Sequence, residues 1–485
     1  MDTPAPQPAP YDLLGVGIGP FNLSLAALAE PVPGLRTLFC DQRPEFRWHP
    51  GMLVDGARMQ VPFLADLVSL VDPTNRWSFL NYLREQDRLF PFYFAERFQL
   101  PRREYDHYCR WAAERLTNCR FATVVTALHW EGGHGTGGHG TGGHWEGGFY
   151  RAELLDAVTG RREEVRARNV ALGVGTRPVL PEVFAGLAGH PRAFHSADYL
   201  DRRCALNGAR DITVVGSGQS GAEVFLDLLR RHADDGVRLR WLTRSRALAP
   251  MEYSKLGLEH FTPDYTRYFH SLPEPVRDHL VEAQWQLHKA ASAETLAEIH
   301  DHLYERTIGR PIDADPVEIT PGTAVTDARP GPCGGLELRC RHTDSGAGHV
   351  LRTDAVVLAT GYRAARPVAL EPLAGLIDWD GAGRYRVDLD HRVATRPELT
   401  GGLYVQNAEL HTHGVGTPDL GLGAHRAAVI LNAVTGRTVH RLPARTAWTG
   451  FAPPEPAAAT TPPTGPAATT VPRPQELSRA ATAGR

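Results

Sequence analysis

Two glycine-rich turns, far apart in the chain, are the segments of this sequence with the clearest chemistry. Each follows a short apolar run typical of a strand, at 11–14 and 212–215, and each is followed by a helix-like segment. Glycines let the backbone approach a diphosphate, and the helix N-terminus offers free N–H groups and a positive dipole end. The sequence therefore predicts two dinucleotide-binding turns, formed by Gly15, Gly17, Gly19 and Pro20 and by Gly216, Ser217, Gly218, Gln219 and Ser220.

The residue that ends the next strand-like run differs between the two turns. After the first turn this residue is Asp41, and a carboxylate there suits the unmodified ribose of FAD or NAD. After the second turn it is Arg244, and a guanidinium suits the 2′-phosphate that distinguishes NADPH from NADH. Either turn alone could be an ordinary Gly-rich connection between strand and helix. Two complete patterns favour FAD and NADPH, of which one can pass electrons to the other.

Composition bounds the remaining possibilities. A chain of 485 residues with 42% hydrophobic content is long enough for two or three domains. The formal charge of −3 predicts no nucleic-acid partner, and the lack of an apolar run of about 18 residues predicts no membrane span. The first residues do not form a signal-peptide pattern, and the six cysteines form no CxxC pair. We therefore expect a cytoplasmic protein with free thiols and no disulfide redox centre.

The order of strand signals predicts how the domains are arranged. Two further apolar runs end in glycine turns, at 169–176 and 354–362, and they bracket the second dinucleotide turn. This order predicts an α/β fold with two Rossmann-like dinucleotide-binding domains, for FAD and NADPH, and a smaller helical substrate-binding region. The expected ranges are 8–205 for the first part of the FAD domain, 206–350 for the NADPH domain with substrate-region helices around 250–310, 351–445 for the last part of the FAD domain with a substrate loop, and 453–485 for a disordered tail.

A Gly/His/Thr-rich insert at 131–148 allows two interpretations. His134, His139 and His144 are evenly spaced, which suggests a metal site. However, no Asp or Cys stands close enough to complete a rigid ligand set, and a glycine-rich chain loses much entropy when it captures a metal. We therefore favour an expanded hairpin loop, and we predict no metal site.

Further motifs in order along the chain show that it resembles a known family. From residue 11 to about 440 the sequence resembles the flavin-dependent N-hydroxylating monooxygenases of siderophore biosynthesis, the lysine/ornithine N-monooxygenase family. The motifs that carry the resemblance are the two glycine turns and the segments 46–52, 59–67, 78–83, 103–111 and 412–414.

The resemblance implies a mechanism in which the cofactor performs the difficult chemistry. NADPH reduces FAD, reduced FAD and O₂ give a C4a-hydroperoxyflavin, and its terminal oxygen is transferred to a primary amine to form a hydroxylamine. The amine must be neutral, because an ammonium has no lone pair, and an ordinary amine pKa lies near 10.4, so a base or a desolvating pocket is required. The resemblance implies a homo-oligomer, a tetramer, whose other partners are the small amine and O₂.

Residue roles carry over from the family position by position. At the FAD site the resemblance implies that Asp41 binds the ribose, that Trp48 and His49 line the flavin nucleotide, and that Gln60 lies beside the isoalloxazine. Trp48 and His49 could instead be an aromatic pair packed under a loop. The remaining implied cofactor contacts are Val125 at the adenine, Asp419 and Leu420 in the C-terminal flavin loop, and Arg244 at the NADPH phosphate. No residue is assigned as catalytic.

The departures from the family concern the substrate. In the amino-acid hydroxylases a lysine and an asparagine bind the substrate carboxylate; the matching positions here are Ala65 and Leu258, and a serine position becomes Gly421. A carboxylate buried without partners would cost several kcal/mol. We therefore expect a diamine, putrescine or cadaverine, whose distal ammonium needs an acidic or aromatic partner. Glu252 is one candidate among several acidic and aromatic side chains in this region.

Alternatives to a diamine N-hydroxylase stay open. Lys255 or His288 could bind a carboxylate, which would make the protein an L-lysine N6- or L-ornithine N5-monooxygenase. A Baeyer–Villiger monooxygenase usually carries its own Phe/His/Trp fingerprint, which this sequence lacks. An NADPH oxidase-like flavoprotein would consume NADPH without transferring oxygen to an amine.

Overall fold

The computed structural model describes residues 9–132, 147–232 and 236–452. His134, His139 and His144, for which we predict a loop and no metal site, and the predicted tail at 453–485 lie outside the described residues. In chain order the strands are β1 (Tyr11–Val16), β2 (Thr37–Cys40), β3 (Arg58–Pro62), β4 (Gln99–Pro101), β5 (Cys119–Arg120), β6 (Thr123–Glu131), β7 (Phe149–Asp156), β8 (Arg162–Leu172), β9 (Thr176–Pro178), β10 (Ala193–His195), β11 (Asp211–Val215), β12 (Arg238–Leu242), β13 (Val317–Thr320), β14 (Thr323–Pro330), β15 (Leu336–His342), β16 (Gly348–Thr353), β17 (Ala355–Leu358), β18 (Tyr362–Ala364) and β19 (Leu403–Val405).

The structure contains twelve α-helices among the described residues. They are α1 (Pro20–Ala29), α2 (Phe79–Glu85), α3 (Leu89–Ala95), α4 (Arg102–Arg115), α5 (Tyr199–Arg202), α6 (Gln219–Arg231), α7 (Pro263–Ser271), α8 (Glu274–Ala283), α9 (Trp285–His288), α10 (Ala293–Arg306), α11 (Leu410–His413) and α12 (Gly423–Thr435). None of the helices among the described residues is long and apolar enough to cross a membrane.

The first sheet contains the first glycine turn. Its strand order is β5-β2-β1-β8-β7-β6, and β19 lies beside the C-terminal half of β8. The pairs β1–β2, β1–β8, β2–β5 and β8–β19 are parallel, whereas β6, β7 and β8 pair antiparallel. Leu13 and Leu14 on β1 are both fully buried although they point to opposite faces, as a central strand covered on both sides requires. Helix α1 is buried along nearly its whole length and shares one apolar core with α12.

The second sheet contains the second glycine turn and is parallel throughout. Its strand order is β10-β17-β11-β12-β13. A separate antiparallel sheet of β14, β15 and β16 lies in the chain between β13 and β17. Helix α6 is buried continuously from Gly221 to Leu229, and its apolar residues share one core with strands of the second sheet and with Ile299 of α10. The predicted α/β fold with two Rossmann-like sheets is confirmed.

The chain passes between the two sheets at a small antiparallel pair. Strand β9 pairs with β18, in the register Thr176 opposite Ala364. Two strands lie across the predicted boundaries: β10, before residue 206, and β17, after residue 351, both belong to the second sheet. The predicted domain limits stay a prediction, and the strand assignments favour moving both limits outward to β9 and β18.

Candidate active site

The first glycine turn leaves the start of α1 open to a ligand. Gly17 has φ +86°, and a Cβ there would lie 2.6 Å from the carbonyl oxygen of Gly173. Gly19 is the N-cap of α1 and Pro20 its first residue, and no side chain caps the helix. The N–H groups of the first turn are therefore available to an anion. Gly15 lies within β1 under the ring of Phe39, where a Cβ would be 2.0 Å from a ring carbon. A glycine is therefore required at this position so that the Phe39 ring can pack against the strand.

Asp41 lies at the end of β2, as predicted, and is held by protein groups. Its carboxylate accepts hydrogen bonds from the N–H of Ile18 at 2.8 Å and from the guanidinium of Arg43 at 2.9 and 3.0 Å. Burial alone would raise its pKa, but these bonds outweigh burial and lower the pKa. A carboxylate fixed and ionised in this way is a suitable acceptor for ribose hydroxyl groups.

The second glycine turn has the same construction at the start of α6. Gly216 has φ +128°, and a Cβ would lie 2.1 Å from the carbonyl oxygen of Ala359 on the neighbouring strand end. Gly218 is the N-cap of α6 and again no side chain caps the helix. Ser217 lies 3.0 Å, oxygen to oxygen, from Ser245 beyond β12. Ser220 lies in the first turn of α6.

Arg244 and Gln219 differ in what their side chains are free to bind. Arg244 is exposed beside the second turn and has no hydrogen bond or ion pair to any residue of the described ranges. The side chain of Gln219 instead accepts from the N–H of Ser292 at 2.7 Å and donates to Glu223 and Thr295. A nucleotide contact at Gln219 would therefore come from its backbone, whereas the guanidinium of Arg244 is available.

One continuous cavity of about 3120 Å³ joins the two turns. Ligand pockets usually measure roughly 300–1,000 Å³, so this space suits more than one large ligand. All but two of the predicted site residues line it: Gly17, Gly19, Pro20, Asp41, Trp48, His49, Gln60, Ala65, Val125, Gly216, Ser217, Gly218, Gln219, Ser220, Arg244, Leu258, Asp419, Leu420 and Gly421. The two exceptions are Gly15 and Glu252.

Aromatic and amide side chains of the predicted flavin region meet in this cavity. The ring of Trp48 makes edge-to-face contacts with His49 at 5.1 Å and Tyr105 at 5.0 Å, so the pair is packed. Trp48 and His49 also line the cavity, and their contact with the flavin nucleotide stays a prediction. Gln60 on β3 lies 3.0 Å from the sulfur of Met251, which belongs to the segment after β12. Val125 lies on β6 next to a register shift in its pairing with β7.

Asp419 is the acidic group of the C-terminal loop. It caps the short 3-10 helix Leu420–Leu422 by accepting from the N–H of Gly421 at 3.0 Å. Burial raises the pKa of its carboxyl group to about 6, although the Gly421 hydrogen bond and the charge of Arg426 act in the opposite direction. Asp419 is therefore ionised above about pH 6 and contributes a negative charge to the cavity wall.

The predicted substrate residues fall into two groups. Ala65 is buried in the wall of the cavity, and Leu258 lies on the 3-10 helix Gly257–Phe261 with its side chain partly exposed to the cavity. Glu252 is not among the residues that line the cavity, and its carboxylate accepts from the N–H of Ser254 at 2.6 Å. Its role as an ammonium partner stays a prediction and gains no support from this placement.

A buried ion pair between the two halves was not anticipated from the sequence. Arg102, the first residue of α4, forms two hydrogen bonds of 2.7 Å with Glu223 of α6. Both residues line the cavity; the side chain of Glu223 is buried, that of Arg102 is 12% exposed, and Glu223 also accepts from Gln219. The pair ties the first sheet's layer to the helix that carries the second turn. Nothing in either local segment signals it, because the partners are 121 residues apart.

Comparisons with known proteins agree with this geometry. Residues 9–364 match the family model of L-lysine 6-monooxygenase/L-ornithine 5-monooxygenase. The chain is 42% identical to the rhizobactin siderophore biosynthesis protein RhbE of Rhizobium meliloti, over 91% of this chain and 95% of that protein. It is 39% identical to the putrescine N-hydroxylase of Shewanella oneidensis, over 91% of this chain and 84% of that protein.

A solved structure extends the likeness to three dimensions. The crystal structure of DfoA bound to FAD, the cadaverine monooxygenase of the desferrioxamine pathway of Erwinia amylovora, superposes with a TM-score of 0.85 at 38% identity. The superposition covers 93% of this chain and 100% of that chain. The chain therefore belongs to the L-lysine 6-monooxygenase/L-ornithine 5-monooxygenase family.

Proposed function

We propose that this protein is an FAD- and NADPH-dependent monooxygenase that N-hydroxylates one primary amine of an aliphatic diamine, cadaverine or putrescine, for a hydroxamate siderophore. The observation that carries the substrate class is the apolar character of Ala65 and Leu258 in the cavity wall. A putrescine N-hydroxylase and a cadaverine monooxygenase among the similar proteins support the same class. An L-lysine N6- or L-ornithine N5-monooxygenase is the alternative.

The two glycine turns fit the two cofactors by their donor groups. The open start of α1 and the fixed carboxylate of Asp41 would hold the diphosphate and ribose of FAD. The open start of α6 and the guanidinium of Arg244 would hold the diphosphate and 2′-phosphate of NADPH. When bound, the flavin supplies the oxygen-activating chemistry. The wall residues orient the amine and keep bulk water from the reacting atoms.

The side chains proposed as alternative carboxylate partners do not supply a charge in the cavity. Burial lowers the pKa of His288 to about 4, so its ring is neutral near pH 7. Lys255 is exposed and is not part of the cavity lining. The carboxylate of an amino-acid substrate would find no partner at Ala65 or Leu258, and burying it there would cost roughly several kcal/mol.

Acidic groups suited to a dication line the same cavity. Glu282 on α8 has no hydrogen bond or ion pair within the described ranges, and Asp419 keeps one carboxylate oxygen free of hydrogen bonds. Asp278, one turn earlier on α8, is bound by Arg384 at 2.7 Å and is therefore already neutralised. Free carboxylates lower the cost of bringing the distal ammonium of a diamine into the cavity.

The substrate class is tested by measuring three quantities in the same reaction. With FAD and NADPH present, we expect hydroxylamine from putrescine or cadaverine, matched to the NADPH consumed. With L-ornithine and L-lysine, we expect little hydroxylamine. The NADPH consumed should instead give hydrogen peroxide. Equal yields from an amino acid would replace the diamine proposal by the alternative. If NADPH consumption gave hydrogen peroxide and no hydroxylamine in the presence of each of the four amines, N-hydroxylation of this substrate set would be contradicted.

Substitution of Gly17 tests the assignment of the first turn. Alanine at φ +86° is strained and its Cβ would contact the Gly173 carbonyl, so we expect FAD retention to fall about ten-fold. Gly34→Ala is the matched control, because Gly34 has φ +78° but nothing within 4 Å of the added Cβ. Flavin absorbance per protein after gel filtration measures retention. Equal flavin content in the two variants would argue against a diphosphate at this turn.

The proposal includes a homo-oligomeric state, a tetramer by the family resemblance, and a cytoplasmic location. Helix α3 buries none of its residues, and Phe90, Tyr93 and Phe94 are 76%, 72% and 73% exposed. Exposed aromatic patches of this kind mark interaction surfaces. Light scattering of the purified protein measures the oligomeric state.

A further inference from the structure

Lys289 is unusual because lysine is a rare residue type in this sequence. The sequence contains 52 lysines and arginines together, and Lys255 and Lys289 are its only lysines. Lys289 lines the cavity, whereas Lys255 does not. A lysine provides a compact point charge on a flexible stem, which suits a diphosphate as well as a carboxylate. The position of Lys289 in the structure indicates whether its ammonium binds a diphosphate or a carboxylate.

The backbone of Lys289 lies against the second glycine turn. It follows α9, and its carbonyl oxygen lies 3.1 Å from where a Cβ on Gly218 would be. Two hydrogen bonds hold the segment that follows Lys289 in this position. The N–H of Ser292 donates to the side chain of Gln219 at 2.7 Å, and the N–H of Met251 donates to the carbonyl of Ala291 at 2.8 Å. The root of the lysine side chain is therefore fixed beside the open start of α6.

The charge on Lys289 is not neutralised within the described part of the chain. No carboxylate of these residues lies within ion-pair distance of its ammonium, and its side chain is exposed to the cavity. The neighbouring ring of His288 is neutral, because burial lowers its pKa to about 4. The positive end of the α6 dipole and this ammonium therefore face the same space, where two negative charges would be stabilised.

We propose that Lys289 binds the diphosphate of the nicotinamide dinucleotide. The inference rests on the proposed use of NADPH, and it adds a residue that acts on a group common to NADPH and NADH. Arg244 acts on the 2′-phosphate, which only NADPH carries. The assignment also removes Lys289 as a partner for a substrate carboxylate.

Chemical labelling of the holoenzyme tests the position of Lys289 without an activity assay. An amine-acetylating reagent can modify only Lys255, Lys289 and the N-terminus, and mass spectrometry separates these sites. We expect NADP⁺ and NAD⁺ at saturation to slow the acetylation of Lys289 and to leave Lys255 unchanged. Acetylation of Lys289 at an unchanged rate with NADP⁺ and NAD⁺ bound would overturn the proposal.

Calorimetric binding to the holoenzyme separates Lys289 from Arg244. Lys289→Ala is expected to raise Kd about ten-fold for both NADP⁺ and NAD⁺, since it removes a charge-assisted hydrogen bond to the diphosphate. Arg244→Ala is expected to raise only the Kd of NADP⁺. Lys289→Arg should restore most of the affinity, and Lys255→Ala is the matched control. An unchanged Kd in Lys289→Ala, or a change for NADP⁺ alone, would contradict the assignment. Neither readout involves the amine, so a wrong substrate class would leave both intact.

Discussion

Replacement of Arg244 by alanine is expected to raise KM for NADPH about 100-fold and to leave KM for NADH unchanged. Arg244 is exposed beside the second glycine turn and lines the cavity. A guanidinium binds a phosphate through two parallel charge-assisted hydrogen bonds, each worth roughly 1.5–3 kcal/mol, and about 1.4 kcal/mol corresponds to ten-fold. Steady-state rates of cofactor oxidation with each nucleotide give the two constants.

Arg246→Ala is the matched control for this variant. Arg246 is two residues further along, is exposed, and forms an ion pair of 2.7 Å with Asp344. Its loss removes the same charge from the same segment, so long-range electrostatics change equally in both variants. We expect a change below about two-fold, because exposed charges contribute little at physiological ionic strength. Equal losses in the two variants would mean that general charge, and not a contact at Arg244, favours NADPH.

The Ala65→Lys variant is expected to lose about 100-fold in kcat/KM for cadaverine and putrescine. This substitution places an ammonium in the cavity wall at the position where the family resemblance implies a lysine. Two like charges about 6 Å apart at an effective dielectric constant of about 20 repel by roughly 3 kcal/mol. L-Lysine and L-ornithine, which carry a carboxylate, should lose less or gain. The measurement is hydroxylamine formation across the four amines.

Ala65→Met separates charge from crowding in this experiment. Methionine adds a side chain of similar length without a charge, into a site where Ala65 is only 6% exposed. If crowding alone mattered, Ala65→Met and Ala65→Lys would lose the same activity on every amine. We expect the methionine variant to lose activity on diamines and amino acids alike. A lysine variant that kept full diamine activity would show that Ala65 does not face the substrate.

Local sequence was sufficient to predict the parts of the fold and of the site that a single short segment determines. Strand, glycine turn and helix follow one another within about 20 residues, and strand ends in a parallel sheet meet at one edge. For that reason Gly17, Asp41, Gly216 and Arg244 all lie where the pattern predicted, at the two turns of one cavity. The apolar runs at 11–14 and 212–215 became central strands, because a strand covered on both faces must be apolar throughout.

Long-range pairings could not be predicted, because local patterns contain no information about them. The Arg102–Glu223 pair and the bonds of Gln219 to Ser292 and Thr295 join segments far apart in the chain. Strand β10 is only three residues long, so its membership of the second sheet is determined by its partner β17. Glu252 is a different case: its carboxylate accepts from the nearby Ser254 N–H, but only the fold determines which residues of this segment line the cavity.

The most direct measurement is a competition between cadaverine and L-lysine at equal concentration in one reaction with the holoenzyme and NADPH. The ratio of the two hydroxylated products, determined by mass spectrometry, equals the ratio of their kcat/KM values. With apolar side chains at Ala65 and Leu258, we expect about a 100-fold excess of the cadaverine product, since a carboxylate without partners costs several kcal/mol. Comparable amounts, or an excess of hydroxylated lysine, would contradict this expectation.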